Sequence, residues 1–134
     1  MIISGGYDLV FLACVLHHIK PEEREKWMQA VVRHLKPGGC IAVFEHNTRN
    51  PYTKKIILNP ESGDNFHYML SHKELKDLLL NSAHDLKVVW HGYTLFSLFR
   101  PFWMIRAEML LKWCGIGAQQ CVVVQKQYEK TAKA

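Results

Sequence analysis

Two short stretches hold the residues that could do chemistry: His17 and His18 in "VLHHIKP", and Glu45, His46 and Asn47 in "VFEHN". Imidazoles exchange protons near neutral pH, and a carboxylate beside one orients it, so these groups suit general acid and base work. Plainer roles stay open for each of them. His18 could cap its turn or pack against the next helix, His17 could point to solvent or line a cleft passively, and Glu45 could pair with a nearby Lys or Arg. The histidines and Glu45 fit no closed zinc spacing, so no metal is expected.

The elements that must position these groups alternate regularly. Residues 7–15, "YDLVFLACV", read as a strand apolar on every position from Leu9 to Val15. Such a strand belongs inside a parallel sheet covered on both faces. Pro21 suits a first helical position, with Glu22 and Glu23 where the helix dipole favours carboxylates. Trp27, Met28, Val31, Val32 and Leu35 recur at helical spacing, and Pro37, Gly38 and Gly39 should stop that helix. "CIAVFEHN" is a second strand, and a strand, helix and strand joined by short turns predict a right-handed parallel unit. Residues 48–70 read as one long polar loop, a kind that is often functional. Ser71 and Glu74 form a capping box that opens a helix burying Leu75, Leu78 and Leu79. "DLKVVWHGY" is then a strand, "FRPFWMIRAEMLLKWCG" an amphipathic helix closed by Gly115, and "QQCVVVQKQ" a last strand.

The 134 residues allow one small domain, and 49% hydrophobic with 22% charged residues exclude wholesale disorder. The net charge of +5 is scattered apart from a Lys/Gln tail, so it reads as a solvated surface and not as a nucleic-acid face. Cys14, Cys40, Cys114 and Cys121 show neither a C-x-x-C pair nor the spacing of a secreted disulfide scaffold, which predicts a reduced, cytoplasmic protein. No signal peptide or spanning helix is expected. The aromatic-rich residues 90–113 carry Arg100, Arg106 and Lys112, so a membrane-contacting patch stands beside the core reading.

"YDLVFLACVLHHI", then a helix, then "LKPGGCIAVFEHN" closely resembles the second half of the class I S-adenosylmethionine-dependent methyltransferases. The resemblance implies an α/β fold: a partial Rossmann-like methyltransferase sheet in the order 4-5-7-6, its last strand antiparallel, with helices on its faces. It runs over residues 1–127, leaving 128–134 as a frayed tail. It also implies S-adenosylmethionine as cofactor, with the backbone of Leu12, Ala13 and Cys14 lining its methionyl part. His17, His18 and Glu45 become the candidate catalytic residues, and His46 and Asn47 would face a small-molecule methyl acceptor. The family holds the rest of its cofactor on a glycine-rich turn and an acidic residue in the first half of the fold. This sequence has no G-x-G after a strand, since Gly115-Ile116-Gly117 follows a helix. The expectation is therefore a truncated domain, inactive alone. The alternative is a non-catalytic module whose first strand pairs its open edge with a second copy or a partner chain.

Overall fold

The computed structural model describes residues 6–94 and 113–128. Its elements run β1 (Tyr7–Ala13), a 3-10 turn (Leu16–His18), α1 (Pro21–Arg33), β2 (Leu35–His46), α2 (Pro51–Ile57), α3 (His72–Asn81), β3 (Leu86–Thr94) and β4 (Gln119–Lys126). The strands form one sheet in the order β1-β2-β4-β3. β1 and β2 are parallel, while β4 runs antiparallel to both β2 and β3. This is the mixed α/β sheet that the resemblance implies, with the last strand inserted between the second and third.

The core lies on one face of that sheet. Val10 and Leu12 of β1, Ile41 and Val43 of β2, and Val122 and Val124 of β4 alternate toward Met28 and Val32 of α1 and Leu75 and Leu79 of α3. Period-two alternation is what a strand with one covered face requires. The predicted capping box is present: the Ser71 hydroxyl accepts from Glu74 N–H, and the Glu74 carboxylate accepts from Ser71 N–H. These two bonds hold the Glu74 carboxyl below its usual range.

Four expectations need correction. β1 is covered on one face only, because Leu9 and Phe11 are 59% and 60% exposed on the other. Full apolarity along a strand does not by itself guarantee two covered faces. The first helix ends at Arg33, before Pro37, and Leu35 is buried in the strand that follows. "LKPGG" is therefore an irregular strand start: Tyr7 pairs with Leu35 but Leu9 with Cys40, so three extra residues of β2 bulge between them. Residues 48–70 hold α2 and two 3-10 turns in place of one loop. Asn50, Asn59 and Asn65 each accept a backbone N–H at the start of one of these, and Pro51 takes the first helical position of α2. The predicted helix over residues 99–115 falls almost wholly outside the described residues.

The bulge needs its glycines. Gly38 takes φ +81°, and a Cβ on Gly39 would lie 2.9 Å from the Tyr7 carbonyl oxygen and 3.0 Å from that of Lys36. Both are backbone atoms that cannot swing aside. Gly39→Ala is expected to lower stability by about 1–3 kcal/mol, the usual cost of overpacking. Urea unfolding checks this, and an unchanged midpoint would mean the bulge yields freely.

Candidate active site

At the carboxyl ends of β1 and β2 the chain buries an ion pair. Glu45 is the last inward-facing residue of β2, continuing the Ile41, Val43 alternation into a polar position 1% exposed. Its Oε1 accepts the backbone N–H of Val15 at 3.0 Å and of Leu16 at 2.7 Å. Its Oε2 lies 2.6 Å from His17 Nδ1. A carboxylate only accepts, so Nδ1 carries a hydrogen in either charge state, and Nε2 presents a lone pair when the ring is neutral. Nε2 faces Asp64 Oδ1 at 3.2 Å, off hydrogen-bond geometry, so this buried nitrogen has no hydrogen-bond partner among the described residues.

Two features hold the turn in place. Cys14 breaks the strand with φ +54°, unusual for a residue with a side chain, while its N–H bonds the Phe44 carbonyl at 2.8 Å. Arg24 of α1, buried, donates from Nε to the carbonyls of Leu16 and Ile19 at 3.0 Å each, and from Nη2 to that of Tyr68. One guanidinium thus joins the histidine turn to the segment carrying Asp64.

The predicted site residues sort differently from expectation. His17 does not point to solvent: it is the buried partner, and His18 has the exposed side chain, at 59%. Glu45 pairs with a histidine and two backbone donors, not with Lys or Arg. His46, half-buried, sets its ring 5.1 Å from that of His17. Asn47 is occupied structurally, donating to the Gly115 and Gly117 carbonyls and accepting from Arg49 N–H. Leu12 packs into the core, while Ala13 is exposed and Cys14 half-buried at the strand end.

Sequence reasoning missed Asp64, Gln120 and Tyr93. Glu45, Gln120 and Tyr93 share one row across β2, β4 and β3, hence one face of the sheet. Gln120 is 1% exposed and donates to the carbonyls of His46 and Leu70. A glutamine opening the apolar run "QCVVV" was the one signal available. Tyr93 stacks against His72 at 4.9 Å between centroids, at the mouth of a cleft of about 540 Å³ also lined by Trp90, His91 and Trp113. That volume admits a small-molecule ligand. β3 runs parallel to β2, so the cleft opens at the same end of the sheet as His17.

Electrostatics follow from burial. Burial alone would lower the His17 pKa, but the hydrogen bond and charge of Glu45, with the charge of Asp64, outweigh it and raise the value. Burial, aided by the charge of His17, lowers that of His46. Burial and then the Glu45 charge raise the Cys14 thiol, and burial pushes Cys121 up to about 12. A raised folded pKa at His17 contributes stability that is complete below the unfolded value of about 6.5 and is lost as pH rises through the folded value. The stability difference between the natural chain and His17→Gln is therefore expected to be largest below about pH 6.5 and to shrink above it. Urea unfolding of both at a series of pH values removes the titrations they share. A difference flat with pH would contradict the pairing.

The comparisons with known proteins bear on the fold. A family model described as a methyltransferase domain matches residues 3–43. A solved SAM-dependent methyltransferase from Archaeoglobus fulgidus is 15% identical, with a TM-score of 0.60 over 90% of this chain and 60% of its own. The chain has the fold of the S-adenosylmethionine-dependent methyltransferases. The N-methyltransferase NodS from Bradyrhizobium japonicum WM9, solved with S-adenosyl-L-homocysteine, is 12% identical, with a TM-score of 0.56 over 96% of this chain and 50% of its own. The plantazolicin methyltransferase BamL, solved with a triazolic desmethylPZN analog and SAH, is 15% identical, with a TM-score of 0.62 over 95% of this chain and 56% of its own. The chain thus spans less than two thirds of the length of these methyltransferases. No curated protein matches it. Among the described residues no helix is long and apolar enough to cross a membrane.

Proposed function

We propose that this chain supplies the acceptor-side half of a methyltransferase site that transfers a methyl group from S-adenosylmethionine to the oxygen or nitrogen of a small molecule. The observation that carries the reading is the buried His17–Glu45 pair at the carboxyl ends of two parallel strands, its Nε2 left without a hydrogen-bond partner among the described residues. Open α/β sheets bind their ligands in that crevice. When bound, the cofactor supplies an electrophilic methyl group on a sulfonium.

The chain's own residues do the rest. Exposed Ala13 and half-buried Cys14, where β1 breaks off, suit the methionyl part of the cofactor. The glycine-rich and ribose-binding parts come from outside the described residues. An acceptor hydroxyl or amine that reaches His17 Nε2 delivers its proton there, while Glu45 and Asp64 stabilise the imidazolium that forms. Glu45 holds the ring in the tautomer that can accept. His46, beside His17, and the cleft between Tyr93 and Trp113 are placed to orient the acceptor body. The test is transfer of labelled methyl groups to a panel of hydroxyl and amine acceptors, by the chain alone and joined to the glycine-rich half. Activity that appears only in the joined protein supports the reading. Activity in a monomeric preparation of the chain alone, or none in either, contradicts it.

A second reading has its own observation. Exposed Leu9 and Phe11, with Tyr7 at 39%, make one side of β1 an apolar surface. β1 is also the outermost strand of the sheet, and an open edge beside an apolar face suits pairing with another chain, with or without catalysis. Mass in solution separates the two readings. The four free cysteines suit a reduced, cytoplasmic setting for either.

A further inference from the structure

His17, His18 and Asp64 converge more closely than catalysis by His17 requires. One nitrogen of each ring and one Asp64 oxygen all lie within 4.8 Å of one another. His17 Nε2 is 3.2 Å from Asp64 Oδ1, and His18 Nε2 is 4.0 Å from the same oxygen. Ligands about 2 Å from one ion in a tetrahedron stand a little over 3 Å apart, so a small inward shift of His18 would suffice. The second observation is the orphaned nitrogen. His17 is 1% exposed, and its Nε2, aimed into this cluster, lacks a hydrogen-bond partner among the described residues. The third is the outer partner. His17 Nδ1 donates to a buried carboxylate at 2.6 Å, the arrangement by which proteins orient a metal-bound imidazole and raise its basicity.

We propose that His17, His18 and Asp64 bind one divalent first-row transition-metal ion, zinc being the best match. Two imidazoles and a carboxylate suit zinc and exclude the all-oxygen shell that magnesium prefers. Three protein ligands leave a position open, the pattern of catalytic and not structural zinc sites. That position would take water or the heteroatom of the acceptor, whose pKa the ion would lower, and with the ion bound His17 Nε2 serves as a ligand and not as the base. Only this use of the ion rests on the methyl-transfer reading; its binding does not. Sequence spacing alone gives no hint of the site, because Asp64 joins the histidines only through the segment after α2.

The test needs no methyl donor. The full chain, freed of metal by dialysis against chelator, is titrated with Co²⁺ and followed by visible absorption, and Zn²⁺ is then added. One Co²⁺ per chain is expected, with the d–d bands of a tetrahedral nitrogen and oxygen site, and Zn²⁺ displaces it. His18→Ala and Asp64→Asn lie outside the hydrophobic core, so circular dichroism should be unchanged while affinity falls at least about tenfold. Glu45→Gln presents an N–H to His17 Nδ1 and forces the hydrogen onto Nε2, so affinity falls about 10–100-fold. Absence of saturable binding, a thiolate charge-transfer band, or binding unchanged in His18→Ala and Asp64→Asn would overturn the proposal. So would Co²⁺ that Zn²⁺ fails to displace.

Discussion

Replacement of Glu45 by alanine is expected to lower the unfolding free energy by about 3–5 kcal/mol, the cost of breaking a buried ion pair from one side. The carboxylate is 1% exposed and accepts three hydrogen bonds, two of them from the backbone of the turn after β1. Alanine leaves the N–H groups of Val15 and Leu16 and the Nδ1–H of His17 buried without acceptors. Each such loss costs about 1–3 kcal/mol, and His17 can limit its own by staying neutral. A domain of this size has only about 5–15 kcal/mol in all, so the change would be plain in urea unfolding. Glu45→Gln separates the parts of the effect. Its amide oxygen still accepts from Val15 and Leu16, and its amide nitrogen meets a deprotonated His17 Nδ1. Gln should therefore keep most of the stability that Ala loses. A Glu45→Ala variant within about 1 kcal/mol of the natural chain would mean that water reaches those donors.

The second large effect is on catalysis. With the glycine-rich half joined to the chain, His17→Gln is expected to reduce methyl transfer by about 10²–10⁴-fold, the usual contribution of a positioned general base. Glutamine nearly fills the space and donates to Glu45, but it accepts no proton. Affinity for S-adenosylhomocysteine should be unchanged, since no cofactor contact is assigned to the imidazole. His18→Ala gives a comparison: without the ion it should cost much less than His17→Gln, and with the ion the two approach each other. Equal rates in His17→Gln and the natural protein would remove His17 from the mechanism.

The framework of the fold was legible in the sequence because it rests on local patterns. Ser71 with Glu74 marks a helix start whatever lies around it, and the runs at residues 9–13 and 40–44 are strands by composition. The order β1-β2-β4-β3 came from resemblance, since no local signal says that the last strand inserts antiparallel. α2 was legible in Asn50-Pro51 but was hidden by the polar character of residues 48–70. The site was half legible. His17 and Glu45 stand at strand ends where chemistry gathers, but which histidine turns inward is decided by packing, by Arg24 and by the Glu45 carboxylate. Asp64 reaches His17 from a distant segment, and Gln120 acquires its role only when β4 lies beside β2. Neither follows from spacing along the chain.

The central claim is that these residues form the acceptor side of a methyltransferase site whose cofactor grip lies elsewhere. Calorimetric titration of the purified chain with S-adenosylhomocysteine, with its mass measured in the same solution, tests this most directly. A well-folded monomer that shows no saturable binding is the predicted result. Micromolar binding by a monomer would contradict it, because the residues described here would then hold the cofactor unaided.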